Sequence, residues 1–313
     1  MKDRRRYAPV KRKYKEEGTM VLLNVGRALL ARIIFIVHSI ATIWQTAAIQ
    51  EDNSVWGFAL ISLLIVFEGA HTIIMRAGDE RRWFSPSILL YIIATAPPIW
   101  ILEKKLCEKR ATEDSSFNEE DFRLQLIEQL LLVVLIICRW LFPKGDISSE
   151  QLSQILLAYL AISSDIVEFF DVFKEKEVWS SSTVQNFMLS AWTLSLLQFP
   201  FVLTISRARK MRVAITKTYH ELIIDNDEYQ RKTCNVLYDV DIWAIILANA
   251  LQDLPFLSVR LYLMLAQGLV TYTMIFFTCK NALIIVLQTY RNFRDRNFHV
   301  FLCPSHYARR LSG

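Results

Sequence analysis

Glycine, proline and cysteine are scarce in this sequence, with 8, 8 and 5 residues among 313. So few glycines and prolines exclude a flexible linker or a low-complexity segment. The cysteines show no paired spacing, and only Cys107 is expected in an outer loop. We therefore expect no intramolecular disulfide. No internal repeat is visible in the sequence either.

Motifs of catalysis are missing as well. The chain has no Cys/His cluster with metal-ligand spacing, no glycine-rich phosphate loop and no Ser/His/Asp pattern that identifies a nucleophile. It also has no Asn-x-Ser/Thr sequon. Because the first apolar run is too long for a signal sequence, we expect a signal-anchor helix and no cleavable signal peptide. We therefore expect neither enzymatic activity nor a bound metal or cofactor.

Hydrophobic residues are what the chain has in abundance. They make up 53% of it, the mean hydropathy is +0.27, and the charges are concentrated between apolar blocks. These blocks predict an all-α, polytopic membrane bundle of eight transmembrane helices, since each is near the ~20 residues that cross a bilayer. Their approximate ranges are 20–47, 55–75, 86–102, 122–142, 148–173, 184–206, 239–264 and 268–290.

The same pattern divides the chain into three parts. We expect a basic cytosolic segment 1–19, a transmembrane domain 20–290 with a cytosolic loop 207–238, and a basic cytosolic tail 291–313.

Proline cannot continue the helical hydrogen bonding, so Pro97-Pro98 should kink or end the third helix. The polar stretch Glu103–Asp121 should then form an outer loop.

Basic residues fix the predicted orientation. With eight spans, 25 of the Lys and Arg residues between and beyond the spans fall on the side of the termini and 6 on the opposite side. The positive-inside rule therefore places both termini in the cytosol. Because the C-terminus carries no retrieval signal, we expect the plasma membrane.

Ionisable residues inside the spans form a predicted intramembrane network. Each costs about 2.5–3.5 kcal/mol at the bilayer centre if it is unpaired. We therefore expect each of these side chains to form an ion pair, to lose its charge or to contact water. The residues could then serve as ion pairs that fix the order of the helices, or they could line a polar pathway through the membrane. Asp253 could pair with Lys280 or Arg32, whereas Arg260 and Glu168 could instead extend to the interface. The network comprises Arg32, Glu68, Asp165, Glu168, Asp253, Arg260 and Lys280.

A helix break is predicted at Pro255, in the sequence Gln252-Asp253-Leu254-Pro255. The proline ring crowds the carbonyl of Leu251. A freed carbonyl beside a carboxylate must face protein or water rather than lipid. We therefore expect this segment in the interior of the bundle, either continuous or split into two half-helices.

Two further groups of basic side chains have competing interpretations. The N-terminal segment either determines topology only or also contacts anionic lipid; a nucleic-acid partner is the poorer alternative for a segment tethered to a membrane. His38 and His71 lie on different helices, so polar packing is favoured over metal binding or a proton relay. The basic residues of the N-terminal segment that would contact anionic lipid are Arg4, Arg5, Arg6, Lys11, Arg12 and Lys13.

Several blocks of the sequence resemble the transmembrane protein 26 family. The resemblance implies a multi-pass membrane protein without an established activity, so it supplies no substrate. This chain differs in its long basic N-terminal extension and its shorter outer loop after the third helix. The blocks, in order, are Trp83-Phe84-Ser85-Pro86, Arg139-Trp140-Leu141-x-Pro143, Asp165-Ile166-Val167-Glu168-Phe169, Leu197-Gln198-Phe199-Pro200, Gln252-Asp253-x-Pro255-Phe256-Leu257 and Lys280-Asn281.

Two functions fit these features. The first is an interaction protein, namely an accessory, scaffold or receptor-like component with unknown protein partners in the lipid bilayer. The alternative is a transporter, ion channel or lipid scramblase that uses the charged interior. The two differ in whether the charged side chains form closed pairs or line a hydrated path.

Overall fold

The computed structural model describes residues 7–76, 84–112, 119–143, 149–201, 247 and 249–302. Every regular element in these ranges is a helix, which confirms the all-α class. The chain divides into two compact units. The first comprises Met1–Leu189 with Phe199–Val202, and the second comprises Ser190–Gln198 with Leu203–Gly313.

The first unit is built on four long helices. These are α1 (Tyr7–Gln50), α2 (Ala59–Arg76), α3 (Pro86–Thr112) and α4 (Glu119–Leu141), with a 3₁₀ turn at Asn53–Phe58 before α2. Helix α1 packs on the other three, and α3 packs on α2 and α4 as well. The next elements are α5 (Ser149–Asp171), a 3₁₀ turn at Val172–Lys174, the short α6 (Lys176–Trp179) and α7 (Ser182–Leu196).

Consecutive helices of this unit run in opposite directions. Ser39 and Arg32 of α1 contact Ser62 and Glu68 of α2 in reversed order, so the two helices are antiparallel. Helix α4 is also antiparallel to α1, because Cys138 lies beside Ala31 while Ile127 lies beside His38. Contacts of His38 with Tyr91 and of Thr46 with Pro98 make α3 parallel to α1. This up-down-up-down order suits four successive crossings of a membrane.

The connection between α1 and α2 is tight and locally capped. Glu51 has a φ of 58°, a left-handed conformation that ends α1. The Asp52 carboxylate then accepts a hydrogen bond from the Ser54 amide at 2.9 Å, which caps the 3₁₀ turn and lowers the pKa of that carboxyl group. This short turn keeps α1 and α2 adjacent and antiparallel.

The third helix differs from its prediction. Helix α3 continues through Pro97 and Pro98 to Thr112, so Glu103 to Arg110 are helical rather than part of an outer loop. Burial explains this, because Ala94, Ala96 and Ile99 are enclosed by neighbouring helices and such packing outweighs the lost proline hydrogen bonds. Cys107 is consequently a buried free thiol on α3, not a loop cysteine.

Five helices in the described part of the chain are long and apolar enough to cross a membrane. They cover Thr19–Gln50, Asn53–Arg76, Pro86–Ala111, Asp121–Leu141 and Tyr272–Tyr290. Large apolar side chains such as Val37, Phe67 and Ile74 are exposed on them, as expected for surfaces that face lipid. The first four spans and the last one match predicted spans in position.

The predicted sixth helix ends early. Helix α7 ends at Leu196, and residues 197–200 form a turn, so the predicted helix over 184–206 is wrong at its end. Pro200 accounts for this, because its ring would crowd the carbonyl of Leu196 in a continuing helix. Within the first unit, the Pro200 carbonyl instead accepts from the Ser85 amide, and the Tyr159 hydroxyl donates to the Phe199 carbonyl at 2.5 Å.

The second unit contains a π-helical turn at Asn249–Asp253, followed by α8 (Leu254–Ala266) and α9 (Tyr272–Leu302). The chain stays helical through Pro255, which is the continuous form of the two predicted alternatives, with a change of helix type next to the proline. The irregularity lies just before it, since the wider π turn makes room at the Leu251 carbonyl for the proline ring. Gly268, at a φ of +68°, follows the C-cap residue Gln267 and ends α8, and α9 runs on beyond the predicted span to Leu302.

Candidate functional site in the helical interior

An ion pair joins α1 and α2 in the interior of the first unit. Arg32 Nη2 and Nε lie 3.1 and 3.2 Å from Glu68 Oε2, and the two side chains are 4% and 15% exposed. Arg32 Nη1 also donates to the Ala28 carbonyl at 3.1 Å, and the guanidinium lies 5.5 Å from the Phe142 ring. Arg32 and Glu68, two members of the predicted intramembrane network, therefore neutralise each other.

Neighbouring hydroxyl groups complete the coordination of Glu68. Thr72 Oγ1 donates to Glu68 Oε1 at 2.7 Å, and Ser87 Oγ of α3 donates to Oε2. Gly69 makes the pair possible, because a Cβ at that position would lie 2.5 Å from Arg32 Cδ. The carboxylate thus joins three helices and has its oxygens satisfied by protein groups.

A second polar contact lies between α1, α3 and α4. His38 Nδ1 is 2.8 Å from the Tyr91 hydroxyl, and His38 Nε2 is 3.3 Å from the Ile127 carbonyl. Since a carbonyl only accepts, Nε2 carries a hydrogen, and the neutral ring accepts from Tyr91 at Nδ1. His38 therefore has the polar packing role favoured from sequence, whereas His71 lies exposed on α2.

These contacts belong to a polar stripe along α3, which consists of Ser87, Tyr91, Thr95, Glu103, Cys107 and Arg110. All steps but the one from Thr95 to Glu103 are three or four residues, so successive side chains are neighbours on the helix surface and the stripe winds gradually around α3. Ser87, Tyr91, Thr95, Glu103 and Cys107 are all buried. The polar stripe of α3 thus runs through the first unit from one end of a membrane span to the other.

The stripe ends in a charged cluster between α3 and α4. Arg110 Nη2 and Nε lie 2.6 and 2.9 Å from Asp121 Oδ1, and Nη1 lies 3.2 Å from Glu103 Oε1. Arg110 also donates to the Phe173 carbonyl at 3.5 Å, and Cys107 Sγ is 3.7 Å from Glu103 Oε1. Sequence reasoning missed this cluster because it treated Glu103–Asp121 as a loop.

Two buried ionisable residues of α4 stand apart from these pairs. Glu128 is 8% exposed and its Oε1 has no hydrogen-bond partner among the described residues. Arg139 is 3% exposed, and its Nε and Nη1 likewise have none there. Neither residue belongs to the predicted intramembrane network. Their eleven-residue separation, three turns of helix, puts them on one side of α4.

The predicted acidic residues of α5 are less buried than Glu128 and Arg139. Asp165 and Glu168 are half-buried, three residues apart on one face. Helix α5 is not among the five helices of the described chain that meet the length and hydropathy of a span.

The second unit holds the remaining predicted charges. Asp253 and Gln252 are buried, and Gln252 Oε1 accepts from Gln198 Nε2 at 2.8 Å. Arg260 is fully buried, so it does not extend to the interface; its guanidinium lies 5.6 and 5.3 Å from the rings of Phe256 and Phe277.

Lys280 is half-buried, with its Nζ 5.1 Å from the centroid of the same Phe277 ring. The Phe277 ring therefore contacts two cations, whereas the sequence predicted a carboxylate partner for Lys280. The Asp253–Lys280 and Asp253–Arg32 pairs stay predictions.

Other predicted features fall partly outside the described residues. Arg4, Arg5 and Arg6 lie outside them, as does the predicted cytosolic loop 207–238, while the backbone of Lys11, Arg12 and Lys13 belongs to α1. In the described part of the chain, no group of three or more His, Cys, Asp or Glu side chains could hold a metal ion.

Comparison with known proteins yields one family. The sequence profile described as "Transmembrane protein 26" matches residues 22–122 and 112–291, which together span most of the chain. No solved structure matches the chain.

Proposed function

The chain belongs to the transmembrane protein 26 family, and from this premise we propose that it is an eight-span plasma-membrane protein that works by associating with other membrane proteins. It is an integral membrane protein in any case, as its family and its apolar helices show. In the proposed role it serves as an accessory, scaffold or receptor-like component and catalyses no reaction.

The observation that carries the proposal is that the Arg32–Glu68 pair has its polar atoms occupied by other groups of the protein. An open transport site must exchange its ligands for water or solute, and its charged groups face that path. Glu68 instead has both oxygens occupied by Arg32, Thr72 and Ser87. Such a contact fixes the positions of α1, α2 and α3 relative to one another, which is what a stable binding platform requires.

The proposed topology extends the alternation of α1–α4. Four antiparallel crossings return the chain to its starting side after α4, and four further crossings would do so again. The strong bias of basic residues toward the side of the termini supports a cytosolic location for both.

Flux measurement tests the proposal. Purified full-length protein in liposomes should give no ion flux and no movement of labelled lipid above that of protein-free vesicles. The Asp253→Asn variant should give the same baseline, because Asp253 serves packing in this proposal. In cell membranes treated with a cross-linker, the same chain should migrate as a complex larger than itself.

Folding controls decide how the flux result is interpreted. Preparations of both proteins must elute as single species and show the same helical circular dichroism. Flux by the wild type that Asp253→Asn abolishes would overturn the proposal and assign the protein to the transporters or scramblases.

A different observation favours that second candidate function. Glu128 Oε1 of α4 and Ser163 Oγ of α5 are both buried without hydrogen-bond partners among the described residues. Buried polar atoms of this kind usually have a partner, and water or a transported solute could supply it. Flux that is lost in Glu128→Gln, in a protein that remains folded, would select this function.

A further inference from the structure

An exposed amide lies near the middle of the membrane span formed by α4. The span covers 21 residues, Asp121–Leu141, and is therefore about 30 Å long, the thickness of the hydrocarbon core. Gln129 is exposed and lies about 12 Å along the helix axis from Asp121 and about 18 Å from Leu141. Its side chain is too short to reach headgroups or water at either end.

Gln129 differs in this respect from the polar residues of the other spans. Within five residues of the middle of each of the five described spans, it is the only exposed side chain that carries an amide or a charge. Arg32 and Glu68 lie at a comparable depth, but they bind each other. The amide of Gln129 forms no hydrogen bond with any described residue. Because an amide without a partner is costly in hydrocarbon, this position favours a partner from another molecule.

Apolar side chains continue the exposed face of α4 on both sides of Gln129. Leu126 and Val133 lie three residues before it and four after it, and both are exposed, as are Phe122 and Trp140 nearer the ends of the span. Steps of three and four residues keep Leu126, Gln129 and Val133 on one side of the helix. This is the spacing of the contact line between two packed helices, so a second helix can lie along this face with Gln129 at its centre.

From these observations we propose that α4 binds the α4 helix of a second copy of the chain, with the two Gln129 amides hydrogen-bonded to each other. An amide both donates and accepts, so two identical side chains complement one another. Copies inserted in the same orientation hold Gln129 at the same depth, and a two-fold axis along the membrane normal places the residue opposite itself. Glutamine side chains associate transmembrane helices through such hydrogen bonds.

The inference names a partner for the association proposed above and rests on that role. It does not require eight spans, because only α4 enters the contact. A different membrane protein would have to present a donor and an acceptor at this depth on an apolar helix face. A second copy of the chain does so by symmetry.

Energy transfer between labelled copies tests the contact. Full-length chains that carry a donor or an acceptor fluorescent protein at the C-terminus are reconstituted together in phosphatidylcholine liposomes over a range of protein-to-lipid ratios. The wild type should show energy transfer that falls as lipid is added. Gln129→Leu keeps a side chain of similar size without the amide, and it should lower the association constant about tenfold. Gln129→Asn should restore part of the association.

The matched control is Gln125→Leu, the same change one helical turn nearer the end of the span. Gln125 is half-buried and lies about 6 Å from Asp121, where water can serve its amide. Its replacement should leave the energy transfer unchanged. All variants should show the helical circular dichroism of the wild type.

Disulfide cross-linking identifies the face that forms the contact. In a cysteine-free chain, Leu126→Cys or Val133→Cys should form dimers rapidly when membranes are treated with copper phenanthroline, an oxidant that enters the bilayer. Val37→Cys, at an exposed position of α1, should not. Adding Gln129→Leu to the Leu126→Cys chain should slow the cross-linking.

Three results would overturn the inference. The first is equal energy transfer by the wild type and Gln129→Leu. The second is rapid cross-linking of Val37→Cys without that of Leu126→Cys, which would place the contact on another face. The third is a wild type that shows no energy transfer in liposomes yet forms a larger complex in cell membranes, since its partner would then be a different protein. That third result would leave the proposed association standing, whereas a chain that also formed no complex in cell membranes would refute both.

Discussion

Gly69 shows how one missing side chain permits an ion pair. A Cβ there would lie 2.5 Å from Cδ and 2.9 Å from Nε of Arg32. These atoms cannot move aside freely, because the guanidinium is held by Glu68 and by the Ala28 carbonyl. The size of residue 69 therefore decides whether α1 and α2 can be bridged at this level.

Gly69→Ala should destabilise the protein by about 1–3 kcal/mol through overpacking. The measurement is thermal unfolding of the purified variant in the detergent used for the wild type. The control is Gly26→Ala on α1, where an added Cβ meets nothing within 4 Å. That change should be neutral or stabilise by about 0.5–1 kcal/mol, because alanine favours a helix. Equal effects at the two positions would refute the steric explanation.

At the scale of the element, α3 is the helix around which the first unit is built. Its 27 residues pack on α1, α2 and α4 and carry the polar stripe that contacts each of them. Its continuation beyond Pro98 brings Glu103, Cys107 and Arg110 into the interior. A polar segment near the end of a helix thus becomes part of the core.

Chemical labelling distinguishes this helix from the loop that the sequence predicted. In a variant whose only cysteine is Cys107, a membrane-impermeant maleimide should label intact cells slowly, because the thiol is buried beside Glu103. A cysteine at the neighbouring position, introduced as Glu108→Cys in a cysteine-free chain, should react quickly, since Glu108 is 71% exposed. Arg110→Gln should speed the labelling of Cys107 by loosening the cluster. Fast labelling of Cys107 itself would support the loop.

Helix α3 also shows what sequence could and could not predict. The cost of charge in hydrocarbon singled out Arg32 and Glu68, but it could not tell that they bind each other, because partners depend on how helices pack. The prolines at 97 and 98 led to the wrong end for α3, and with it the Glu103–Arg110–Asp121 cluster was missed. The spacing of Glu103, Cys107 and Arg110 on one helical face was a signal that could have revealed it.

For the whole molecule, the number of crossings determines where the two termini lie. Eight spans require both termini on the same side, whereas an odd number would separate them. Epitope tags at the N- and C-termini should be recognised by antibody only after cells are permeabilised. A tag inserted between Glu51 and Asp52, in the exposed turn before α2, should be recognised without permeabilisation. Recognition of either terminus on intact cells would contradict the proposed topology.

Helix α1 has a mechanical consequence for the molecule. Its 44 residues form one uninterrupted helix about 66 Å long, roughly twice the thickness of the hydrocarbon core. The predicted first span covers 20–47, so the preceding turns of α1 continue beyond it as part of the same helix. A torque applied to those turns must bend the helix or rotate Arg32 away from Glu68. A rotation of α1 about its own axis would therefore be transmitted along the helix to Arg32, and the Arg32–Glu68 ion pair would oppose it.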